Sequence, residues 1–275
     1  MMNRRSRGIA LVGVLWLLVL LTAVTVALTT TVRGEIRAVG NTLEMTRAAY
    51  AAQGAVELGI LNLLAPQAQR WPTDGSIFET EFEGMQVRIA TLDEAGKIDL
   101  NAAQFPLLSN LLVQSGVDED RAAHIADAIL DWRDTDDLQR VNGAEESDYR
   151  MAGRDYAVAN DSFYSVDELQ LVLGVDSEIY TKVRPALTVH SGLSGVNPHF
   201  ATPQVAAAIA GIASAQTNSS GISYTIYAQA KSADGIVSQV AATVALRPDG
   251  TGKPYQLLAW DMAPAEIFAD PKEAL

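Results

Sequence analysis

The sequence predicts an α+β protein in which a long N-terminal helix packs on a small antiparallel sheet interrupted by a large all-helical insertion. Three observations predict it. A run without charge from Ile9 to Val32 passes into a helical pattern that holds to Leu64. Alternating, strand-like segments stand at both ends of the remaining chain, near 77–92 and 222–262. Between them, over about a hundred residues, the apolar period becomes helical.

Composition sets the outer bounds. At 275 residues, 48% hydrophobic and 19% charged, the chain can bury a core, which excludes wholesale disorder. It has no cysteine, so disulfides, thiolate zinc sites, iron–sulfur ligation and a cysteine nucleophile are excluded. With 20 Lys+Arg against 33 Asp+Glu the net charge is −13, which argues against binding a phosphate backbone.

The first element opens with Met-Met-Asn-Arg-Arg-Ser-Arg-Gly and then the apolar run, long enough to span a bilayer at roughly 20 residues per crossing. Arg4, Arg5 and Arg7 precede the run, so the positive-inside rule places the N-terminus in the cytoplasm and the bulk of the chain outside. The run is longer than a secretory signal core and no Ala-x-Ala site follows it. From Arg33 to Leu64 the helix continues and is expected to stop before Pro66. Next, Ile77–Leu92 reads as a hairpin around Glu83-Gly84. Short helices follow over Asn101–Ser115, Glu119–Trp132, Ser165–Leu173, Ser177–Leu187 and Thr202–Ala213, several behind N-capping residues. Ile222–Lys231 and Ile236–Leu246 then flank the hairpin loop Ala233-Asp234-Gly235, and Tyr255–Met262 adds a last strand.

The densest polar chemistry is Asp131–Asp148, with seven carboxylates against Arg133 and Arg140. Hard cations such as Ca²⁺ take about six to eight oxygen ligands, so such a segment is a natural candidate, as is a plain solvated loop. Counted from Asp134, the residues Asp136, Asn142 and Glu145 fall on EF-hand ligand positions. Leu138 and Gln139 occupy the positions that need a ligand and a glycine, which rejects a true EF-hand. Catalytic signatures are missing from the sequence: His124, His190 and His199 share no ligand spacing, no Gly-x-Ser-x-Gly elbow exists, and His124 reads as structural. The chain is therefore expected not to be an enzyme.

Arg5-Ser6-Arg7-Gly8 followed by Ile9-Ala10-Leu11-Val12 resembles the leader of type IV pilins and type II secretion pseudopilins. The resemblance implies cutting between Gly8 and Ile9 by the prepilin peptidase, with methylation of the new N-terminus. Most members carry Glu at the fifth mature position, where this chain has Gly13. The segment Ala126-Asp-Ala-Ile-Leu-Asp-Trp-Arg-Asp-Thr-Asp-Asp, with Asn142-Gly-Ala-Glu, Tyr149, Asp93-Glu-Ala-Gly-Lys-Ile-Asp-Leu-Asn and Phe163-Tyr-Ser-Val-Asp-Glu-Leu, resembles the minor pseudopilin K subunit of type II secretion. That subunit characteristically lacks the Glu.

The resemblance implies a pilin-like fold with a large helical insertion, and the N-capped short helices of that stretch themselves resemble SAM-like or helix-hairpin-helix repeats. It divides the chain into a leader (1–8), a transmembrane part (9–32), the pseudopilin helix and first hairpin (33–97), the insertion (98–213) and the rest of the sheet domain (214–275). It further implies structural Ca²⁺ held by Asp131, Asp134, Asp136, Asp137 and Glu145. The implied function is capping the tip of the periplasmic pseudopilus that exports folded proteins. The implied partners are minor pseudopilins I, J and H, major pseudopilin G, the prepilin peptidase and the inner-membrane assembly platform, with no nucleic acid. The implied place is the inner membrane, as a single-pass protein with a periplasmic bulk. Two other readings stand beside this one: a minor pilin of a type IV pilus or competence system, and a periplasmic binding domain on a plain anchor.

Overall fold

The computed structural model describes residues 6–218, 221–246, 252–263 and 265–268. Helix α1 (Ser6–Leu64) runs unbroken for 59 residues, about 90 Å at 1.5 Å per residue. It is long and apolar enough to cross a membrane, and its apolar side chains from Leu11 to Leu28 are exposed. Arg4 and Arg5 of the expected leader lie outside the described residues, whereas Gly8 and Ile9 fall within α1.

The C-terminal half of α1 changes character. Ala48, Ala51, Ala52, Ala55, Val56, Ile60 and Leu63 recur at helical spacing and are buried. Small side chains here bring the helix close to the sheet: a Cβ added to Gly59 would lie 2.8 Å from Ile226 Cγ2. The helix stops before Pro66, and Arg70 Nε donates to the carbonyl of Ala65 at 2.8 Å just beyond its end.

The sheet is built from β1 (Asp74–Phe82), β2 (Met85–Asp93), β5 (Ser223–Lys231), β6 (Val237–Ala245) and β7 (Gln256–Asp261), in that spatial order and antiparallel throughout. The β1–β2 turn uses Glu83 at φ 50° and Gly84 at φ 78°, the left-handed pair that a two-residue hairpin demands. Alternation sorts the faces. Val87, Ile89, Tyr224, Ile226, Ala228, Val240, Ala242 and Val244 meet α1, while Ala90, Tyr227 and Ala241 pack with Ala263 and Phe268 on the other side.

The chain leaves this sheet after β2 and returns at β5, the strand beside it. The intervening segment forms its own core. It contains the short parallel pair β3 (Ile98–Asp99) and β4 (Leu187–Thr188), with α2 (Phe105–Gln114), α3 (Glu119–Arg133), α4 (Glu146–Met151) and α5 (Ser177–Val183) between them and α6 (Pro203–Ile209) after them. Asp118 caps α3 by accepting from the Arg121 N–H at 2.9 Å, and Asp176 caps α5 through Ile179 at 2.8 Å.

Some elements differ from the periodicity. Helix α2 begins at Phe105 rather than Asn101 because Pro106 opens its first turn and Asn101 is engaged elsewhere. Asn101 Nδ2 donates to the Phe163 carbonyl at 2.9 Å, and the Phe163 N–H returns a bond to Asn101 Oδ1 at 2.7 Å. The segment Val166–Leu171 is a 3-10 helix, a tighter coil than the expected α-helix. Helix α4 has no apolar stripe and was not legible as a helix in the sequence.

Candidate metal centre

Helix α3 delivers the acidic segment. Its last turn buries Trp132 in an aromatic cluster with Tyr149, Tyr156 and Phe163. That packing fixes the rotation of α3 and turns Asp131 inward, fully enclosed at 0% exposure. Arg133 anchors the same turn by donating to the carbonyls of Leu100 and Ala103, the latter at 2.7 Å. Asp134 then ends the helix, and the chain loops to Glu145, the cap of α4, which is 7% exposed.

Backbone groups and polar side chains hold the loop. The Arg140 N–H donates to Asp131 Oδ2 at 3.2 Å, and the Asn142 N–H donates to Asp127 Oδ2 at 3.2 Å. His124 Nδ1 meets the Asn142 carbonyl at 3.0 Å, so this histidine is a tether. Gln139 Nε2 donates to the Gly143 carbonyl at 2.9 Å. Gly143 is required by contact: an added Cβ would stand 1.8 Å from Asp131 Oδ2.

Six buried side-chain polar atoms among the described residues accept or donate no hydrogen bond, and five of them are oxygens of this segment and its neighbour. They are Asp131 Oδ1, Asp134 Oδ1, both carboxylate oxygens of Glu145, and Asn160 Oδ1. Buried acceptors without donors cost about 1–3 kcal/mol each, more when charged. Arg140 Nε approaches Asp131 Oδ1 only to 3.4 Å, and its side chain is 45% exposed, so it compensates weakly.

The electrostatics follow. Burial pushes the Asp131 carboxyl up to about 6; the Arg140 and Ala144 N–H groups and the Arg140 charge oppose the rise, and Asp134 adds to it. Burial, then the charges of Asp131, Asp134, Asp137 and Asp136, pushes Glu145 up to about 7. Asp134 is raised by burial and by Asp136. The group thus carries mutual repulsion that a bound cation would relieve.

Among the five sequence-derived candidates, Asp131, Asp134 and Glu145 present the unpartnered oxygens. Asp136 and Asp137 are exposed and already engaged: Asp136 Oδ1 accepts from the Leu138 N–H at 2.9 Å, and Asp137 Oδ1 accepts from Asn160 Nδ2 at 3.0 Å. Among the described residues, no three His, Asp or Glu side chains are placed as a ready metal cage. The donor chemistry, carboxylate and amide oxygens, fits a hard cation. Sequence reasoning missed Asn160, a neutral oxygen donor held at φ 48° and contributed from 23 residues beyond Asp137. Its left-handed backbone is a faint signal, since Asn tolerates it better than most residues.

A family described as type II secretion system, protein K, matches residues 87–192, which include the acidic segment. The type II secretion system protein K of Klebsiella pneumoniae is 28% identical over 204 residues, covering 67% of this chain and 63% of that protein. This chain thus spans just under two thirds of that relative's length. The protein K of Pectobacterium carotovorum is 37% identical over a shorter stretch of 75 residues, covering 27% of this chain and 23% of that protein. The crystal structure of the GspK-GspI-GspJ complex from enterotoxigenic Escherichia coli contains a chain of the same fold, with a TM-score of 0.60 at 15% identity. That match covers 82% of this chain and 99% of the other. Over residues 87–192 the chain is therefore similar to the type II secretion system protein K family, and over most of its length it shares the fold of the GspK-complex chain.

Proposed function

We propose that this protein is a minor pseudopilin at the tip of the type II secretion pseudopilus, with a structural rather than a catalytic part in exporting folded proteins. The observation that carries this is the insertion rooted between two neighbouring strands, β2 and β5, of a sheet already packed on α1. A subunit of this shape is too bulky to sit beneath another copy, which favours the first position in a growing filament. Gly13 acts in the same direction, because no carboxylate stands where most pseudopilins carry one to pair with a neighbour's N-terminus.

In this reading the prepilin peptidase cuts between Gly8 and Ile9, and α1 anchors the chain in the inner membrane with the bulk in the periplasm. The partners are pseudopilins I and J, by analogy with the fold relative, which was crystallised as a GspK-GspI-GspJ complex, together with H, G and the assembly platform. Asp131, Asp134 and Glu145, with Asn160, hold a structural Ca²⁺ whose charge offsets their repulsion and orders the α3–α4 loop. Co-purification of the tagged full chain with I and J pseudopilins tests the assignment. Stable recovery of both supports it, and recovery of neither refutes it.

A further inference from the structure

Glu94 stands at the root of the insertion, 2% exposed, in the 3-10 turn Glu94–Gly96 that follows β2. Its Oε1 accepts from Lys97 Nζ at 2.7 Å and from Thr225 Oγ1 at 2.6 Å. Its Oε2 accepts from Thr188 Oγ1. Thr225 lies on β5, and because its proton goes to Glu94, Thr243 on β6 donates to it at 2.8 Å. Thr188 lies on β4, on the returning limb of the insertion, and its hydroxyl oxygen also accepts from the His190 N–H at 3.1 Å. One carboxylate therefore joins the outgoing limb, the returning limb and two strands of the sheet.

The surroundings reinforce the joint. Asp99, also buried, accepts from the Asn101 N–H at 2.8 Å, Ser191 Oγ at 3.1 Å and the Gly192 N–H at 2.7 Å, which closes the returning limb onto β3. The Asn197 N–H donates to the Ala95 carbonyl at 2.7 Å. Gly96 is pressed against Phe200, whose carbonyl oxygen would lie 2.3 Å from an added Cβ. Burial alone would push the Glu94 carboxyl up, but the Lys97 ammonium and the bonds from Lys97, Thr188 and Thr225 hold it below the ordinary carboxylate range. Charge-assisted bonds are the strong ones, and a buried charge that loses a partner is left exposed to the full desolvation penalty.

We infer that Glu94 is a positioning residue that fixes the orientation of the helical insertion against the sheet, so that α1, sheet and insertion move as one body. This goes beyond the tip assignment and does not depend on where in a filament the chain sits. Four hydroxyl, ammonium and carboxylate groups from three segments converge on one buried point, and hydroxyls of Thr188 and Thr225 serve no other described contact between insertion and sheet.

The test uses the natural absence of cysteine. Glu81→Cys on β1 and Asp120→Cys on α3, both exposed, carry two spin labels on the full chain in detergent micelles. Pulsed dipolar spectroscopy then reads the sheet-to-insertion distance distribution. The parent pair is expected to give one narrow distribution. Thr188→Val, which removes the hydroxyl while keeping the shape, should widen it about twofold or more, and Glu94→Gln should do the same. Thr188→Ser, which restores the hydroxyl, should restore the narrow distribution. If Thr188→Val leaves the width unchanged, whether or not the melting temperature drops, the carboxylate contributes stability alone and the inference is overturned.

Discussion

Glu145→Gln should change stability in opposite directions with and without calcium. In the metal-free chain Glu145 ionises only at about pH 7, chiefly because it is buried and next because Asp131, Asp134 and Asp137 repel it. Keeping it ionised at pH 8 costs the folded state on the order of 3 kcal/mol at most. Asp131 shares in that repulsion and relaxes when it is removed, so about 1–2 kcal/mol is the expected gain from Glu145→Gln. At about 2–4 °C per kcal/mol, the variant should melt a few degrees above the parent in EGTA at pH 8. With Ca²⁺ at a hundredfold excess over its dissociation constant, the parent should gain roughly 2.7 kcal/mol and the variant far less. Near-ultraviolet circular dichroism of the full chain in detergent follows the melt through the Trp132 cluster. If the variant melts lower than the parent in EGTA and responds to Ca²⁺ as strongly, the repulsion account of this segment is wrong.

Four further outcomes are expected. Because Asp131 and Glu145 are held above their ordinary values, the folded metal-free chain keeps protons there that the unfolded chain has released. Their contribution to stability is therefore full below about pH 4 and lost as pH rises through about 6 to 7, and metal-free melts at pH 5 and pH 8 should show the drop while saturating Ca²⁺ removes it. Gly143→Ala pushes a methyl into Asp131 and should cost about 1–3 kcal/mol and abolish the calcium response, read by the same melt. Gly59→Leu drives a side chain into Ile226 at the α1–sheet contact and should cost about 1–3 kcal/mol without altering that response. Mass spectrometry of the mature chain should find Ile9 at the N-terminus, and Gly8→Val should leave the leader attached in the membrane.

Much of the framework was legible because it rests on local rules. The uncharged run, the stop before Pro66 and the two hairpins follow from hydropathy, proline geometry and alternation, and each is found at or within a few residues of its expected place. The α1 face was readable as periodicity, whereas its partners on the sheet required the register. In the acidic segment, Asp131, Asp134 and Glu145 stood out by composition. Which carboxylates are buried was not readable, since Asp136 and Asp137 differ from Asp134 only in where α3 ends. Asn160 and the Glu94 joint escaped because their partners lie far away in sequence: Asn160 reaches Asp137 over 23 residues and Glu94 reaches Thr225 over 131. Helix α4 escaped because its sequence, Glu-Ser-Asp-Tyr-Arg-Met, buries a single residue, Tyr149.

The central claim is a place in a filament, and locating the chain there tests it directly. A photo-crosslinking residue placed at Tyr50, on the exposed face of α1, is introduced into the full chain in cells assembling pseudopili, and the position of its crosslinks along sheared filaments is mapped. The account predicts crosslinks confined to one end, to minor pseudopilins, with removal of roughly residues 101–210 relaxing that restriction. Crosslinks to major pseudopilin G distributed along the whole shaft would contradict it.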